Sequence, residues 1–217
     1  MSDCFIFSGQ GSHRPGMGLK LYQHSKIAKD KIRLSNQILG YDISDIMFDD
    51  NEAILRQTNY AQVAIYIYSC IIFDIIKNTN LSPTAVAGHS LGEFSALYAN
   101  STYTFETGLK IVDIRAKAMH RCEKNNEGKM SAVIGMSKDK IIDICKGTDT
   151  QIANINSDQQ IVISGAAESI QFVSEKLKTN GAKRIISLPV SGAFHSKLMS
   201  DAKPELKKVI SDSTFNE

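Results

Sequence analysis

Residues 85–93, AVAGHSLGE, are the stretch that decides the fold of this chain. A short apolar run enters Gly88, Ser90 follows two residues later, and Gly92 comes two residues after the serine. Apolar residues then recur at helical spacing from Leu91 onward, which predicts an amphipathic helix. The stretch therefore predicts a buried strand that turns sharply into a helix around a single serine.

The pattern Gly-x-Ser-x-Gly is typical of a nucleophile elbow. A serine on such a turn adopts strained backbone angles and lies close to neighbouring chain, so residues without side chains are needed two positions before and after it. Its hydroxyl is then exposed at the end of the strand, and the amides of the following helix face any oxyanion formed there. The pattern is short, and it also fits a glycine-flanked turn whose serine caps a helix.

A serine nucleophile needs a base, and the chain has five histidines. His195 lies in the segment LPVSGAFHS, residues 188–196, where the chain would return from a second domain to the first. Its position makes it the best candidate, beside the alternative of an ordinary surface or core histidine. The others lie in polar segments or would point away from the turn: His13, His24, His89 and His120.

Arg115 is the only cation of its predicted helix that lies wholly on the apolar stripe. Its neighbours three and four residues away are all apolar: Ile111, Val112, Ala118 and Met119. A buried guanidinium needs a partner, and its planar fork suits a carboxylate. Three interpretations stay open: an ion pair with an acid elsewhere in the chain, a side chain that reaches solvent, or a carboxylate that belongs to a substrate.

The composition excludes several classes of protein. Of the 217 residues, 42% are hydrophobic and 22% charged, which is ordinary for a globular protein with one sizeable core or a core with a smaller domain. A net charge of +2 argues against nucleic-acid binding. The apolar run at residues 61–76 falls short of the ~20 residues of a membrane span and predicts a buried helix. Four cysteines without C-x-x-C spacing predict reduced thiols of a cytoplasmic protein, and no metal site.

The polar segment EKNNEGK, residues 123–129, is the best candidate for a domain boundary. Beyond it, residues 130–188 have the pattern strand, helix, strand, strand, helix, strand. That order is the plan of a small ferredoxin-like domain.

The sequence resembles the malonyl-CoA:acyl-carrier-protein transacylases and the acyltransferases of polyketide synthases. Eight segments carry the resemblance, in the family's order and across nearly the whole chain. They are FSGQGS (7–12), TNYAQVAIY (58–66), GHSLGEFSAL (88–97), IRAKAM (114–119), MSAVIG (130–135), ANINSDQQIVISG (153–165), GAKR (181–184) and LPVSGAFHSKLM (188–199).

The resemblance implies an α/β fold with two subdomains. Residues 1–126 and 190–217 are expected to form an α/β-hydrolase-like large subdomain with a parallel sheet. Residues 127–189 are expected to form an inserted ferredoxin-like small subdomain. In the family the large subdomain continues beyond the FHSKLM segment, and a glutamine there orients the catalytic histidine through its backbone carbonyl. We therefore expect that this chain lacks the family's C-terminal segment, whether as a fragment, as one of two complementary chains, or as a shortened variant.

The resemblance also implies roles for residues that match the family's motifs. Ser90 resembles the nucleophile and His195 the general base, and Arg115 resembles the arginine that binds the free carboxylate of malonyl. The backbone N–H groups of Gln10 and Leu91 would form the oxyanion hole. The remaining implied positions are substrate-binding residues Gln62, Asn154, Gln160 and Phe194, and carrier-protein contacts Lys183 and Arg184, which equally fit two solvated cations at a strand end.

The implied activity is transfer of malonyl from malonyl-CoA to the phosphopantetheine thiol of holo-acyl carrier protein, through a malonyl-serine intermediate. Malonyl-CoA is the substrate, no cofactor is bound, and partners would include components of a fatty acid or polyketide synthase, without nucleic acid or membrane. Alternatives are an acyl-hydrolase that clears carrier proteins, a non-catalytic fragment that binds carrier protein, and, more distantly, a generic esterase. Hydrolases of this kind typically lose the arginine, so the presence of Arg115 favours the transferase.

Overall fold

The computed structural model describes residues 3–50, 52–79, 81 and 83–216. The chain forms two compact units, one of Met1–His120 with Glu205–Glu217 and one of Arg121–Pro204. The elements of the first unit are β1 Cys4–Phe7, α1 Leu19–His24, α2 Lys26–Leu39, α3 Ile43–Phe48, α4 Glu52–Leu55, α5 Thr58–Lys77, β2 Ala85–Gly88, α6 Gly92–Ala99 and α7 Phe105–Asn125. Those of the second are β3 Gly128–Ile134, α8 Lys138–Cys145, β4 Thr150–Ser157, β5 Gln160–Ala166, α9 Ala167–Thr179, β6 Arg184–Ser187 and a 3-10 helix Lys197–Ala202, followed by α10 Lys203–Ser211.

The first unit contains the predicted parallel sheet. Strands β1 and β2 pair in parallel, from Cys4 opposite Ala85 to Phe7 opposite Gly88. Parallel strands have their carboxyl ends at the same edge of the sheet. The loop that follows β1 therefore lies beside the turn that contains Ser90.

Helix α5 is the centre of the core of the first unit. Its 20 residues exceed the predicted apolar run, and by length and composition it could cross a membrane. More than half of its most apolar stretch is buried inside the protein, and Ile65, Ile67 and Ile71 are among its fully buried side chains. The burial supports the prediction of a core helix.

Residues 19–39 form two helices, although their apolar pattern alone would fit one continuous helix. Ser25 has extended backbone angles, φ −121° and ψ 126°, and separates α1 from α2. Its hydroxyl accepts a hydrogen bond from the backbone N–H of Ala28 and so caps α2. Serine competes for the backbone in this way, and a periodic apolar pattern does not reveal such a break.

Gly92, at the start of α6, allows close contact between that helix and β1. A Cβ added to Gly92 would lie 2.1 Å from the carbonyl oxygen of Phe7 and 2.9 Å from that of Ser8. Both atoms belong to the backbone and cannot rotate away. The glycine is therefore required for the helix to begin beside the carboxyl end of the strand.

We expect Gly92→Ala to destabilise the protein by about 3 kcal/mol, because the strand or the helix must shift to relieve the overlap. Gly147→Ala is a suitable comparison, since Gly147 has φ +74° but open space around it. That change should cost only about 1 kcal/mol of backbone strain. Urea unfolding followed by circular dichroism measures both, and equal losses would contradict the packing role of Gly92.

The second unit has the predicted ferredoxin-like order of strands and helices. Its four strands form an antiparallel sheet in the order β4-β5-β3-β6. Helices α8 and α9 pack on one face of the sheet, and Val133, Ile161 and Ile163 lie in the core between them. This is the split βαβ arrangement.

The compact units divide the chain at other residues than the sequence suggested. Residues 190–204, expected in the large subdomain, belong to the second unit. Three contacts bind this segment there. The hydroxyl of Ser191 donates to a carboxylate oxygen of Glu123 at 3.0 Å, the backbone N–H of Lys197 donates to Oε1 of Gln151 at 2.8 Å, and a Cβ on Gly128 would lie 2.5 Å from Cβ of Ala193. Such contacts join distant parts of the sequence and leave no local signal.

Candidate active site

Ser90 lies on the strained turn that the sequence predicted. Its φ of 52° is left-handed, a conformation that non-glycine residues rarely adopt. The turn is closed by hydrogen bonds from the backbone N–H of Gly92 to the carbonyl of His89, 2.9 Å, and from that of Glu93 to Ser90, 3.2 Å. A Cβ on Gly88 would lie 2.1 Å from the backbone nitrogen of Glu93. The glycines before and after the serine are thus both sterically required.

The loop after β1 packs directly against this turn. A Cβ on Gly9 would lie 2.4 Å from the carbonyl oxygen of His89, so the two backbones are in close contact there. Gln10 is the next residue of the loop. Among the residues that the structure describes, no acceptor takes the backbone N–H of Gln10 or of Leu91. Two such donors beside a serine hydroxyl are what an oxyanion hole requires.

Arg115, on α7, is buried as its place on the apolar stripe predicted, with 9% of the residue exposed. Its Nη1 donates to Oε1 of Gln62, and its Nη2 donates to Oγ of Ser90 at 3.3 Å. The guanidinium carbon lies 5.5 Å from the centre of the ring of Phe94. The cation is therefore held between an amide and an aromatic ring, within hydrogen-bond distance of the candidate nucleophile.

No carboxylate of the described residues forms an ion pair with Arg115. Burial lowers the pKa of the guanidinium to about 10, and the nearby charge of Glu93 offsets part of that effect. The group therefore remains protonated at neutral pH. Of the three interpretations of Arg115, the structure excludes an internal ion pair among the described residues and a solvent-exposed head group. Arg115 is therefore a buried cation beside Ser90, with no carboxylate partner in the described part of the chain.

A chain of side-chain hydrogen bonds extends from Arg115 to the start of α5. Gln62 presents its Oε1 to the guanidinium, and its Nε2 donates to Oε1 of Gln10 at 3.3 Å and to the sulfur of Met119 at 3.5 Å. The Nε2 of Gln10 then donates to Oγ1 of Thr58 at 3.0 Å. Gln10 is thus connected to the arginine through its side chain.

His195 and Phe194 lie in the second compact unit, on a turn before the 3-10 helix. His195 has a left-handed φ of 58° and is exposed, whereas Phe194 is buried. Ser196 fixes the turn, because its hydroxyl donates to the carbonyl of Ala193 at 2.7 Å and accepts from the N–H of Leu198. Strain at an exposed histidine is a feature of functional sites as well as of turns.

Asn154 and Gln160 share the face of the second sheet that is opposite its helices. Ile152 pairs with Ile163, but a register shift follows, and Asn154 pairs with Val162. The shift moves Asn154 to the other face of the sheet from Ile152. Gln160 precedes Val162 by two residues on β5 and lies on the same face.

Lys183 and Arg184 are exposed at the start of β6, an edge strand. Arg184 pairs with Ile134, and the aliphatic stem of Lys183 packs over Gly135, where a Cβ would lie 2.5 Å from its Cδ. Both charges therefore face solvent from a fixed position. This suits contact with an acidic partner and equally suits two solvated cations.

Three further residues of the first unit contact the predicted ones: Thr58, Phe94 and Met119. Helical spacing could have indicated two of them. Thr58 lies four residues before Gln62 on α5, and Met119 lies four residues after Arg115 on α7, so each shares a helix face with a predicted residue. Phe94 follows Ser90 on α6, and its apolar character alone predicted only a core position.

Other reactive groups of the described residues lie apart from this arrangement. Three cysteines are buried, Cys4 is exposed, and all four are free thiols. No group of three or more histidine, cysteine or acidic side chains is placed to bind a metal ion within the described part of the chain.

A serine on a strained strand-to-helix turn, beside two backbone donors, defines a nucleophile elbow of an α/β acyl-transfer fold. The chain belongs to the acyl transferase domain family, whose sequence model matches residues 4–217.

Two curated relatives are similar to nearly the whole of this chain. The malonyl CoA-acyl carrier protein transacylase of Bacillus subtilis is 37% identical over 211 residues, which are 95% of this chain and 67% of that protein. The polyketide biosynthesis protein ThaF of Burkholderia thailandensis is also 37% identical, over 95% of this chain but 18% of that protein. The chain therefore spans less than a fifth of one relative and about two thirds of the other.

The fold agrees with solved structures of the family. The crystal structure of MCAT from Streptococcus pneumoniae matches all of this chain and 72% of its own, with a TM-score of 0.93 and 35% sequence identity. The predicted α/β class, with a parallel sheet and a separate antiparallel ferredoxin-like sheet, is confirmed.

Proposed function

We propose that this chain transfers a malonyl group from malonyl-CoA to the phosphopantetheine thiol of an acyl carrier protein, as an [acyl-carrier-protein] S-malonyltransferase. One observation carries the proposal: Arg115 is a buried cation without a carboxylate partner among the described residues, and it lies 3.3 Å from Oγ of Ser90. An acyl group with its own free carboxylate supplies the missing anion at the distance where its thioester meets the serine. Malonyl is such a group.

Family membership and relatives named as malonyl CoA-acyl carrier protein transacylases support the same conclusion. Because one relative is a polyketide biosynthesis protein, the proposed reaction could serve either fatty acid or polyketide synthesis. Both supply acyl groups as thioesters, and both would place this chain in the cytoplasm with its substrates.

In the first half-reaction, Oγ of Ser90 attacks the thioester carbonyl while His195 takes the hydroxyl proton. The tetrahedral oxyanion is stabilised by the N–H groups of Gln10 and Leu91. The intermediate collapses, the carbon–sulfur bond breaks, and CoA leaves as the thiol with a proton from His195. The product is a malonyl ester of Ser90.

In the second half-reaction, the phosphopantetheine thiol of the carrier protein attacks the ester carbonyl while His195 takes the thiol proton. The ester carbon–oxygen bond breaks, Oγ of Ser90 receives that proton, and malonyl leaves as a thioester of the carrier protein. Lys183 and Arg184 contribute to binding of the acidic carrier protein. Asn154, Gln160 and Phe194 are the further substrate-binding residues of this proposal. No bound cofactor takes part in either step.

Arg115 provides selectivity for the acyl group. Its planar fork binds a carboxylate through two hydrogen bonds. An acetyl group leaves the same cation without an anion, and a site with an unpaired buried polar group discriminates strongly against such a substrate. The presence of Arg115 also favours the transferase over a carrier-protein hydrolase, since hydrolases of this kind typically lose that arginine.

The first test is covalent loading, measured by intact mass spectrometry. The purified chain is incubated with malonyl-CoA, and with acetyl-CoA in parallel, before holo-acyl carrier protein is added. We expect a single malonyl adduct with malonyl-CoA, little adduct with acetyl-CoA, and loss of the malonyl adduct to the carrier protein.

Two other results would contradict the proposal. Release of free malonate at the rate of loading would identify a hydrolase. A folded chain that binds carrier protein but forms no adduct would identify the non-catalytic alternative.

A further inference from the structure

Thr58 belongs to the hydrogen-bond chain that reaches Ser90, and the mechanism above gives it no role. It is the first residue of α5 and is fully buried. Its hydroxyl accepts from Gln10, Gln10 accepts from Gln62, and Gln62 accepts from Arg115. Each side chain of this series thus fixes the orientation of its neighbour through a hydrogen bond.

The orientation of every amide in this chain follows from the arginine. A guanidinium can only donate hydrogen bonds, so Gln62 must present its Oε1 to Arg115 and its Nε2 to the opposite side. That Nε2 needs an acceptor, which is the Oε1 of Gln10, and the Nε2 of Gln10 then needs an acceptor in turn. The chain has the right polarity only if Nε2 of Gln10 meets a group that accepts, and the hydroxyl of Thr58 is that group.

Burial of these side chains makes the loss of the Thr58 hydroxyl costly. Gln62 and Thr58 are both completely buried and Gln10 is partly buried, so the amide of Gln10 has limited access to a replacement solvent partner and the amide of Gln62 has none. Without the hydroxyl, the amide of Gln10 is released and can rotate. The oxygen that Gln10 presents to Gln62, and through it the orientation of Arg115, then loses its fixed support.

We propose that Thr58 is a positioning residue for selection of carboxylated acyl groups: it holds Arg115 in the orientation that receives the substrate carboxylate, through Gln10 and Gln62, without contact with the substrate. The inference rests on the proposed malonyl transfer and adds a residue that determines its selectivity.

The test replaces the hydroxyl while the shape of the side chain is kept. Thr58→Val removes the acceptor, and Thr58→Ser retains it. Thr150→Val is the matched control, because Thr150 is also a buried threonine whose hydroxyl makes a side-chain hydrogen bond, 2.8 Å to Ser169 in the second unit, outside this chain of contacts. The rates of Ser90 acylation by malonyl-CoA and by acetyl-CoA are measured for each variant by quenched-flow mass spectrometry.

We expect the ratio of malonyl to acetyl acylation to fall about tenfold in Thr58→Val, which is the effect of one lost net hydrogen bond. Thr58→Ser should restore the ratio, and Thr150→Val should leave it unchanged while it lowers Tm. A ratio unchanged in Thr58→Val, or two rates that fall in parallel, would assign to Thr58 a purely structural role and overturn the inference.

A second measurement separates this inference from the proposed function. The guanidinium NMR signal of Arg115, assigned from its loss in Arg115→Lys, reports whether the group is held. If wild-type protein forms no malonyl adduct, the proposed function fails. In that case a faster guanidinium proton exchange in Thr58→Val still supports the positioning role, and an unchanged exchange rate contradicts it.

Discussion

Ser90→Ala is expected to abolish the malonyl adduct and to lower the rate of malonyl transfer by at least about 10⁴-fold. The reason is that alanine has no hydroxyl to attack the thioester, so the malonyl ester cannot form, while substrate binding and the oxyanion donors remain and support a small residual rate. The fold should be retained, because alanine removes one atom from a half-buried position. Intact mass spectrometry after incubation with malonyl-CoA measures the adduct directly.

Ser101→Ala is the matched control for this experiment. Ser101 has a left-handed φ of 60°, close to the 52° of Ser90, so both changes replace serine with alanine at a strained position. Loading should be normal in Ser101→Ala. A malonyl adduct that persists in Ser90→Ala would show that another nucleophile is acylated and would refute the assignment of Ser90.

The local features of the site could be predicted from the sequence because they depend on residues close together in the chain. The Gly88-x-Ser90-x-Gly92 spacing expresses a steric requirement, and the structure shows close backbone approach at both glycines. The burial of Arg115 follows from its neighbours at three and four residues along α7, which are buried as expected. Helix periodicity is enough for that conclusion.

Features that join distant segments could not be predicted in this way. The contact of Gln10 with Thr58 spans 48 residues, and that of Gln62 with Arg115 spans 53. Which amide atom faces which partner is decided only when all members of the chain are in place. The register shift that places Asn154 on the opposite sheet face from Ile152 likewise depends on pairing with β5. In each case the deciding contact is tertiary, and the residue type alone allows several outcomes.

Arg115 is expected to control which acyl group reaches the serine. In Arg115→Met, acylation by malonyl-CoA should fall about 10²- to 10³-fold, the loss typical of a buried charge-assisted hydrogen-bonded pair. Acylation by acetyl-CoA should be retained or increase, because the apolar side chain fills the volume without an unpaired charge. The variant should remain folded, since replacement of a buried charge by an apolar group of similar size is usually tolerated.

Arg115→Lys separates the charge from its geometry. Lysine keeps the positive charge but lacks the planar fork that binds both carboxylate oxygens, so malonyl loading should lie between wild type and Arg115→Met. Lys110→Ala is the control, since it removes an exposed cation from the same helix and should leave both substrates unaffected. If malonyl and acetyl rates fall together in Arg115→Met, the arginine supports the structure of the elbow instead of the substrate carboxylate. If malonyl loading is unchanged, the carboxylate is bound elsewhere, and the buried cation requires another ligand.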